Sequence, residues 1–196
     1  MSPQNICETL IARTIFVIAD NGLDKATTKA IVSGTGINEA YIYRHFLDKE
    51  DLLSKTFDFL DNELMTAVLQ HLPIMRMRGL DTENRLRMYF ISVWNFLMGN
   101  REKCLAFMQY YYSPYFRKNS YEAHRQRYTP VVEQFRPFFR AEADVWLILN
   151  HILNVGLDFA IKVHNDQMPS EGNFVEHVFR VIYASIKQYF KTDLEK

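Results

Sequence analysis

The sequence predicts an all-α protein: a three-helix head with a helix-turn-helix, a long connecting helix, and a second helical domain. Three observations carry this. Apolar residues recur at helical spacing along nearly the whole chain. Strand-type alternation is scarce, and the Asn21-Gly22 pair follows a helical pattern instead of opening a hairpin. Between Thr27 and Glu50, capping residues and turn glycines fall where two short helices and the start of a third need them. The expected boundaries are a head over 1–48, a connecting helix over 49–72 and a helical domain over 73–196.

The first helix is expected from about Asn5 to Asp20. Ile11, Ile15 and Ile18 share one of its faces, with Leu10 beside them, and Gly22 suits the left-handed residue just past its end. Thr27 or Thr28 caps a second helix, which carries Ile31 inward. Gly34 and Gly36 then leave room for a tight turn. Asn38 is an N-cap for a third helix, running to Phe46, whose Ile42 and Phe46 lie four residues apart and point the same way. Asp48 caps the fourth helix, with Asp51 three residues on in a capping-box-like position. That helix repeats apolar residues at Leu53, Phe57, Leu60, Leu64 and Val68, and ends before Pro73.

Beyond Pro73, Met, Tyr and Phe become dense. Helices are expected at about 82–98, 101–113, 119–138, 142–165 and 172–191. Pro114 ends one, and Pro130 and Pro137 break or kink another. The last two carry apolar residues on more than one face: Val145, Ile148, Leu149, Ile152, Leu153 and Phe159, then Phe174, Val178, Phe179, Ile182, Ile186 and Phe190. No internal repeat or low-complexity tract is visible.

Composition narrows the classes. With 48% hydrophobic and 14% aromatic residues, 196 residues can bury a sizeable core. No continuous apolar run approaches the roughly 18–20 residues of a bilayer span, and Met1-Ser2-Pro3-Gln4-Asn5 has no basic start before an apolar stretch, so no membrane association and a cytoplasmic location are expected. Cys7 and Cys104 lack His or Cys neighbours at ligand spacing, so they read as small buried hydrophobes and no metal site is expected. There is no Gly-rich phosphate loop, no His-Glu-x-x-His and no Gly-x-Ser-x-Gly. An enzyme is therefore not expected, and no cofactor is called for.

Net charge is zero, with 23 basic and 23 acidic residues. Residues 1–60 are net −2, which counts against a nucleic-acid binder. Within them, residues 25–49 are net +2, from Lys25, Lys29, Arg44 and Lys49 against Glu39 and Asp48. Positive charge is thus local to the helix-turn-helix.

At this point the chain resembles a TetR-family transcriptional regulator. The resemblance covers about residues 10–60 and rests on Gly22, Thr27-Thr28, Ile31, Gly36-Ile37, Ile42-Tyr43, His45-Phe46, Lys49-Glu50 and Leu52-Leu53, in that order and spacing. Past residue 60 only length and helical character match. Some positions depart from the family pattern. Asn38 stands where Ser is usual, Ala40 where Gly is common, Val32 where Ala is common, and Arg13-Thr14 where a pair of alanines is common. The resemblance implies a DNA-binding head, a connecting helix and a helical ligand-binding and dimerisation domain. It also implies repression relieved by a small-molecule effector of unknown identity. Activation is also compatible with the sequence, since contact with DNA does not fix its consequence.

The DNA-contact candidates are Thr27, Thr28, Lys29, Asn38, Glu39, Ala40, Tyr41, Tyr43, Arg44, His45 and Lys49. Arg44 suits guanine O6 and N7 or a phosphate. Tyr41 and Ala40 offer apolar contact to a thymine methyl. Tyr43 and His45 resemble the family's backbone-contacting pair. Thr27 and Thr28 open a helix whose N-terminus favours a phosphate, Lys29 reaches a base or phosphate, and Lys49 holds the far side of the backbone. Glu39 repels phosphate, or accepts from cytosine N4. Taken singly, each of these is more often a solvated or packed side chain; the argument lies in their combined spacing.

For the effector, Trp94, Phe107, Tyr111 and Trp146 are candidate walls, and Asn150, His151 and Asn154 candidate polar contacts. Aromatics at helical spacing are more often plain core, and Asn150 and His151 also suit satisfied core or dimer-interface positions. The basic stretch 117–140 reads as solvated helix faces rather than a site for an anionic acyl-coenzyme. The last two helices carry more apolar surface than one contact would bury, so a homodimer through them is expected, reading a double-stranded, near-palindromic operator. The alternative is an all-helical protein-interaction module that has lost DNA binding.

Overall fold

The computed structural model describes residues 3–170 and 173–191. The elements are helical: α1 (Pro3–Asn21), α2 (Thr28–Val32), α3 (Ile42–His45), α4 (Lys49–Gln70), α5 (Thr82–Met98), α6 (Arg101–Tyr111), α7 (Tyr121–Phe135), α8 (Val145–His164) and α9 (Phe174–Ile186). Among the described residues, pairing of extended backbone is confined to an isolated antiparallel bridge between Phe139 and Phe190.

By packing, the chain divides into two compact units. One comprises Met1–Glu63 with Glu102–Arg125, the other Leu64–Arg101 with Gln126–Lys196. The boundaries expected at 48/49 and 72/73 fall inside these units.

In the first unit the local signals act as chemistry requires. The Gly22 N–H closes α1 on the Ile18 carbonyl at 2.9 Å, and Gly22 takes φ 92°, a conformation that costs a side-chain-bearing residue. Thr27, not Thr28, is the α2 cap: its hydroxyl accepts from the Ala30 N–H at 3.1 Å. Asn38 caps the next segment through the Ala40 N–H at 3.0 Å. That segment starts as a 3₁₀ turn (Glu39–Tyr41) and becomes α-helical only at Ile42. The expected single helix from Asn38 is therefore tighter in its first turn. Ile6, Leu10, Ile31, Ile42, Phe46 and Leu52 close a small core, with Cys7, Ile11 and Tyr41 packed against it. At the α4 start, Asp48 accepts from the Asp51 N–H at 2.8 Å while Asp51 accepts from the Leu47 N–H at 3.0 Å.

The rest of this unit is built around Phe57 of α4. Tyr110, Phe107 and Phe116 place ring centroids 4.9, 5.1 and 5.3 Å from it. Beside them, buried His124 brings Nδ1 to 3.1 and 3.0 Å from the two oxygens of buried Asp61. Ser120 bonds both Ser54 and the Tyr110 hydroxyl.

The second unit joins the end of α4, a 3₁₀ turn (Leu72–Arg76), α5, most of α7, α8 and α9. Pro130 sits inside α7 without ending it, whereas Pro137 lies in the 3₁₀ turn (Arg136–Phe138) that follows. Pro114 falls just past the end of α6 at Tyr111 and precedes the π-helical turn Phe116–Ser120. Among the described residues, one helix, Val145–His164, is long and apolar enough to cross a membrane by length and composition, with 33% of its most apolar window buried. Asn150, His151 and Asn154 interrupt its apolar run, which is why no continuous stretch stands out in the sequence. A core helix passes the same test.

Candidate DNA-binding face and apolar cavity

Around the α2–α3 turn the structure presents Thr27, Lys29, Asn38, Ala40, Tyr43 and Arg44 as exposed, with Thr28, Glu39, Tyr41, His45 and Lys49 half-buried. Ile42 and Phe46, four residues apart, are buried, and this turns the intervening Tyr43 and Arg44 outward. Tyr43 is 60% exposed, large for an aromatic that has core nearby. The Arg44 guanidinium lies 5.0 Å from the Tyr41 ring centroid, a cation–π contact that steadies the side chain before any partner arrives.

Glu39 does more than project from the surface. Its Oε2 accepts from the Thr28 hydroxyl at 2.6 Å, tying the recognition segment to the first turn of α2. The Thr28 hydroxyl, a candidate phosphate donor, is thereby engaged within the head. Sequence reasoning missed this bond because the partners lie 11 positions apart on different elements. Leu47, 89% exposed immediately after α3, was also missed. Its position just before the Asp48 cap holds it out of the core.

The effector candidates separate. Trp94 lines a cavity in the second unit, together with Phe90, Leu97, Tyr128, Leu149 and Gly156 among others. Phe107 and Tyr111 lie in the first unit, in the aromatic cluster around Phe57 and Phe116. Trp146 packs on Tyr128 with ring centroids 4.8 Å apart but is not part of the lining. Asn150, His151 and Asn154 do not line it either. Asn150 donates to the Trp146 carbonyl at 3.0 Å, and His151 pairs with the Ser185 hydroxyl at 2.9 Å, linking α8 to α9.

The cavity measures about 50 Å³ and its wall is hydrocarbon and aromatic. The Tyr89 hydroxyl donates to the Val68 carbonyl at 3.0 Å, and burial pushes its phenol well above the usual tyrosine range. Cys104 is buried in the first unit, where burial pushes its thiol up to about 12.

Residues 10–56 match the family model described as bacterial regulatory proteins, tetR family. The nucleoid occlusion factor SlmA of Yersinia enterocolitica is 27% identical over 93 residues, which is 47% of this chain and 45% of SlmA. The chain thus matches about half the length of such relatives. A TetR family transcription regulator from Marinobacter aquaeolei VT8 superposes with a TM-score of 0.72 at 16% identity, over 91% of this chain and 94% of that one. The fatty acid degradation regulator FadR of Bacillus halodurans gives 0.66 at 16% identity, over 93% and 95%. At such identities the likeness is one of fold. The head carries the tetR-family sequence pattern, and the fold is that of TetR-family regulators.

Proposed function

We propose, from a tetR-family head within that family's fold, that this chain is a cytoplasmic sequence-specific DNA-binding transcriptional regulator, a repressor released by a small molecule. The observation that carries the reading is the exposed set Lys29, Tyr43 and Arg44, held on a capped, cored helix-turn-helix. Arg44 and Tyr43 take the base-edge and backbone roles, and Lys29 and Lys49 the phosphates. Release follows if the effector enters the cavity of the second unit. A homodimer through α8 and α9 would present two heads to a near-palindromic operator.

The test is selection of bound fragments from genomic DNA, followed by titration of the best fragment across salt. If Lys29 and Lys49 from two heads each neutralise a phosphate, log affinity falls against log salt with a slope of roughly −4. An enriched palindrome with a steep slope supports the reading. Flat salt dependence and no enrichment, with or without small-molecule extract, would point to the helical interaction module instead.

A further inference from the structure

We infer that the cavity of the second unit takes an uncharged, largely hydrocarbon small molecule, and that Gly156 sets the room for it. The inference rests on the regulator reading above and narrows its effector to one chemical class. The ionisable groups in the lining are the phenols of Tyr89 and Tyr128; no carboxylate, ammonium, guanidinium or imidazole belongs to it. An anionic or cationic ligand would leave water and find no opposite charge, a large unrecovered cost. The basic side chains of the 117–140 stretch do not repair this. Arg136 donates to the Ala143 carbonyl and Arg140 to the Phe190 carbonyl, and neither lines the cavity. The Tyr89 hydroxyl is committed to Val68, so ligand polarity has few places to go.

An apolar void of about 50 Å³ is room for several water-sized spheres, yet its wall gives water few of the polar partners an ordered site needs. Hydrocarbon fills it without that loss. Gly156 lies within α8, where glycine weakens a helix. A Cβ built there would meet Leu97 Cδ1 and Phe90 Cε2 at 3.9 Å, ordinary contact distance. Backbone conformation does not demand glycine here, since it is absent from the positive-φ residues. What the missing side chain provides is space facing Phe90 and Leu97.

The experiment uses the full chain free of DNA and the neutral fluorophore N-phenyl-1-naphthylamine, displaced by 1-decanol or by decanoate at about pH 8, where the acid is ionised. Decanol is expected to displace the fluorophore at a concentration about tenfold or more below that needed for decanoate. Gly156→Leu is expected to weaken fluorophore binding by about tenfold or more with its thermal melt retained, and Gly156→Ala by less. Equal or better displacement by decanoate overturns the inference, as does no fluorophore binding, or full binding by a folded Gly156→Leu protein. Should Gly156→Leu not fold, the decanol–decanoate comparison on the unaltered chain decides. Operator binding without fluorophore binding defeats this inference alone. Fluorophore binding without operator binding defeats the regulator reading alone.

Discussion

At the scale of single residues, the proposed DNA-binding face separates side chains that hold the head together from those open to a partner. Arg44 is exposed, and its contact within the head is the Tyr41 ring face. Arg44→Ala should therefore weaken operator binding by ~1–3 kcal/mol, the worth of a good base contact, with an unchanged melting curve. Fluorescence anisotropy on the selected operator checks the first part and calorimetry the second; normal binding would remove Arg44 from the interface. Glu39 is the converse case. Gln at this position can still accept the Thr28 hydrogen but sheds a charge facing phosphate. Glu39→Gln should tighten binding to operator and scrambled duplex alike, by on the order of 0.5–1 kcal/mol, the size of one exposed charge interaction. Tightening confined to one sequence, or weakening, would mean that Glu39 reads a base. Much of this surface was legible beforehand because caps and turn glycines act through near neighbours: Asn38 bonds an N–H two positions on, and Thr27 one three positions on. The Glu39–Thr28 bond was not, because its geometry exists only once the turn between the helices has closed. Thiol chemistry gives a further residue-scale check. Burial pushes the Cys104 thiol up to about 12, so its reactive thiolate is scarce at neutral pH, while Cys7 is half-buried. A thiol reagent should modify Cys7 in the native protein and reach Cys104 only in denaturant; rapid native labelling of Cys104 would contradict its burial.

At the scale of elements, helix lengths and buried faces were readable while partners were not. The expected helix at 82–98 coincides with α5, because Asp81 caps it and Gly99 follows its end. Helical spacing correctly marks Phe107 and Tyr111 as part of a packed face, but it cannot say which unit that face joins. Both went to the cluster around Phe57 and Phe116 rather than to the cavity. The pair Asp61 and His124 had no local signature at all, being 63 positions apart. It clasps α4 to α7 inside the first unit and is shielded by Phe57, Tyr111 and Phe116 rings. Removing one partner from such a site leaves a buried polar group behind. Asp61→Ala should cost about 3–5 kcal/mol in urea unfolding, whereas Asp158→Ala, from the exposed Lys162 pair one turn away on α8, should cost only ~0.3–0.5. Equal effects would mean that burial is not what gives the Asp61 pair its weight.

At the scale of the whole molecule, the proposed homodimer through α8 and α9 would decide whether two heads act together. Leu147 and Val181 are 64% and 63% exposed on these helices, apolar side chains that a partner helix could cover. Around them stand Asn154, Ala184 and Ser185, small or polar groups that let helices approach closely, and the His151–Ser185 bond that braces the two helices. On the proposed pairing, Asn150 and His151 would serve an assembly face instead of the ligand wall, one of the roles open to them from sequence. A charge at its centre would be desolvated without a partner on pairing. The double variant Leu147→Glu, Val181→Glu should therefore sediment as a monomer while keeping its helical spectrum, since both sites already face solvent in the single chain. Operator affinity should then fall by roughly 10²-fold or more, because the second head no longer binds at the high effective concentration its tether provides. Arg44→Ala acts through contacts, and this variant through linkage alone. Half-site affinity measured on a short duplex should thus be lost in the first and preserved in the second. A double variant that stays dimeric would move the assembly face elsewhere, and a monomer that keeps full operator affinity would mean that one head suffices.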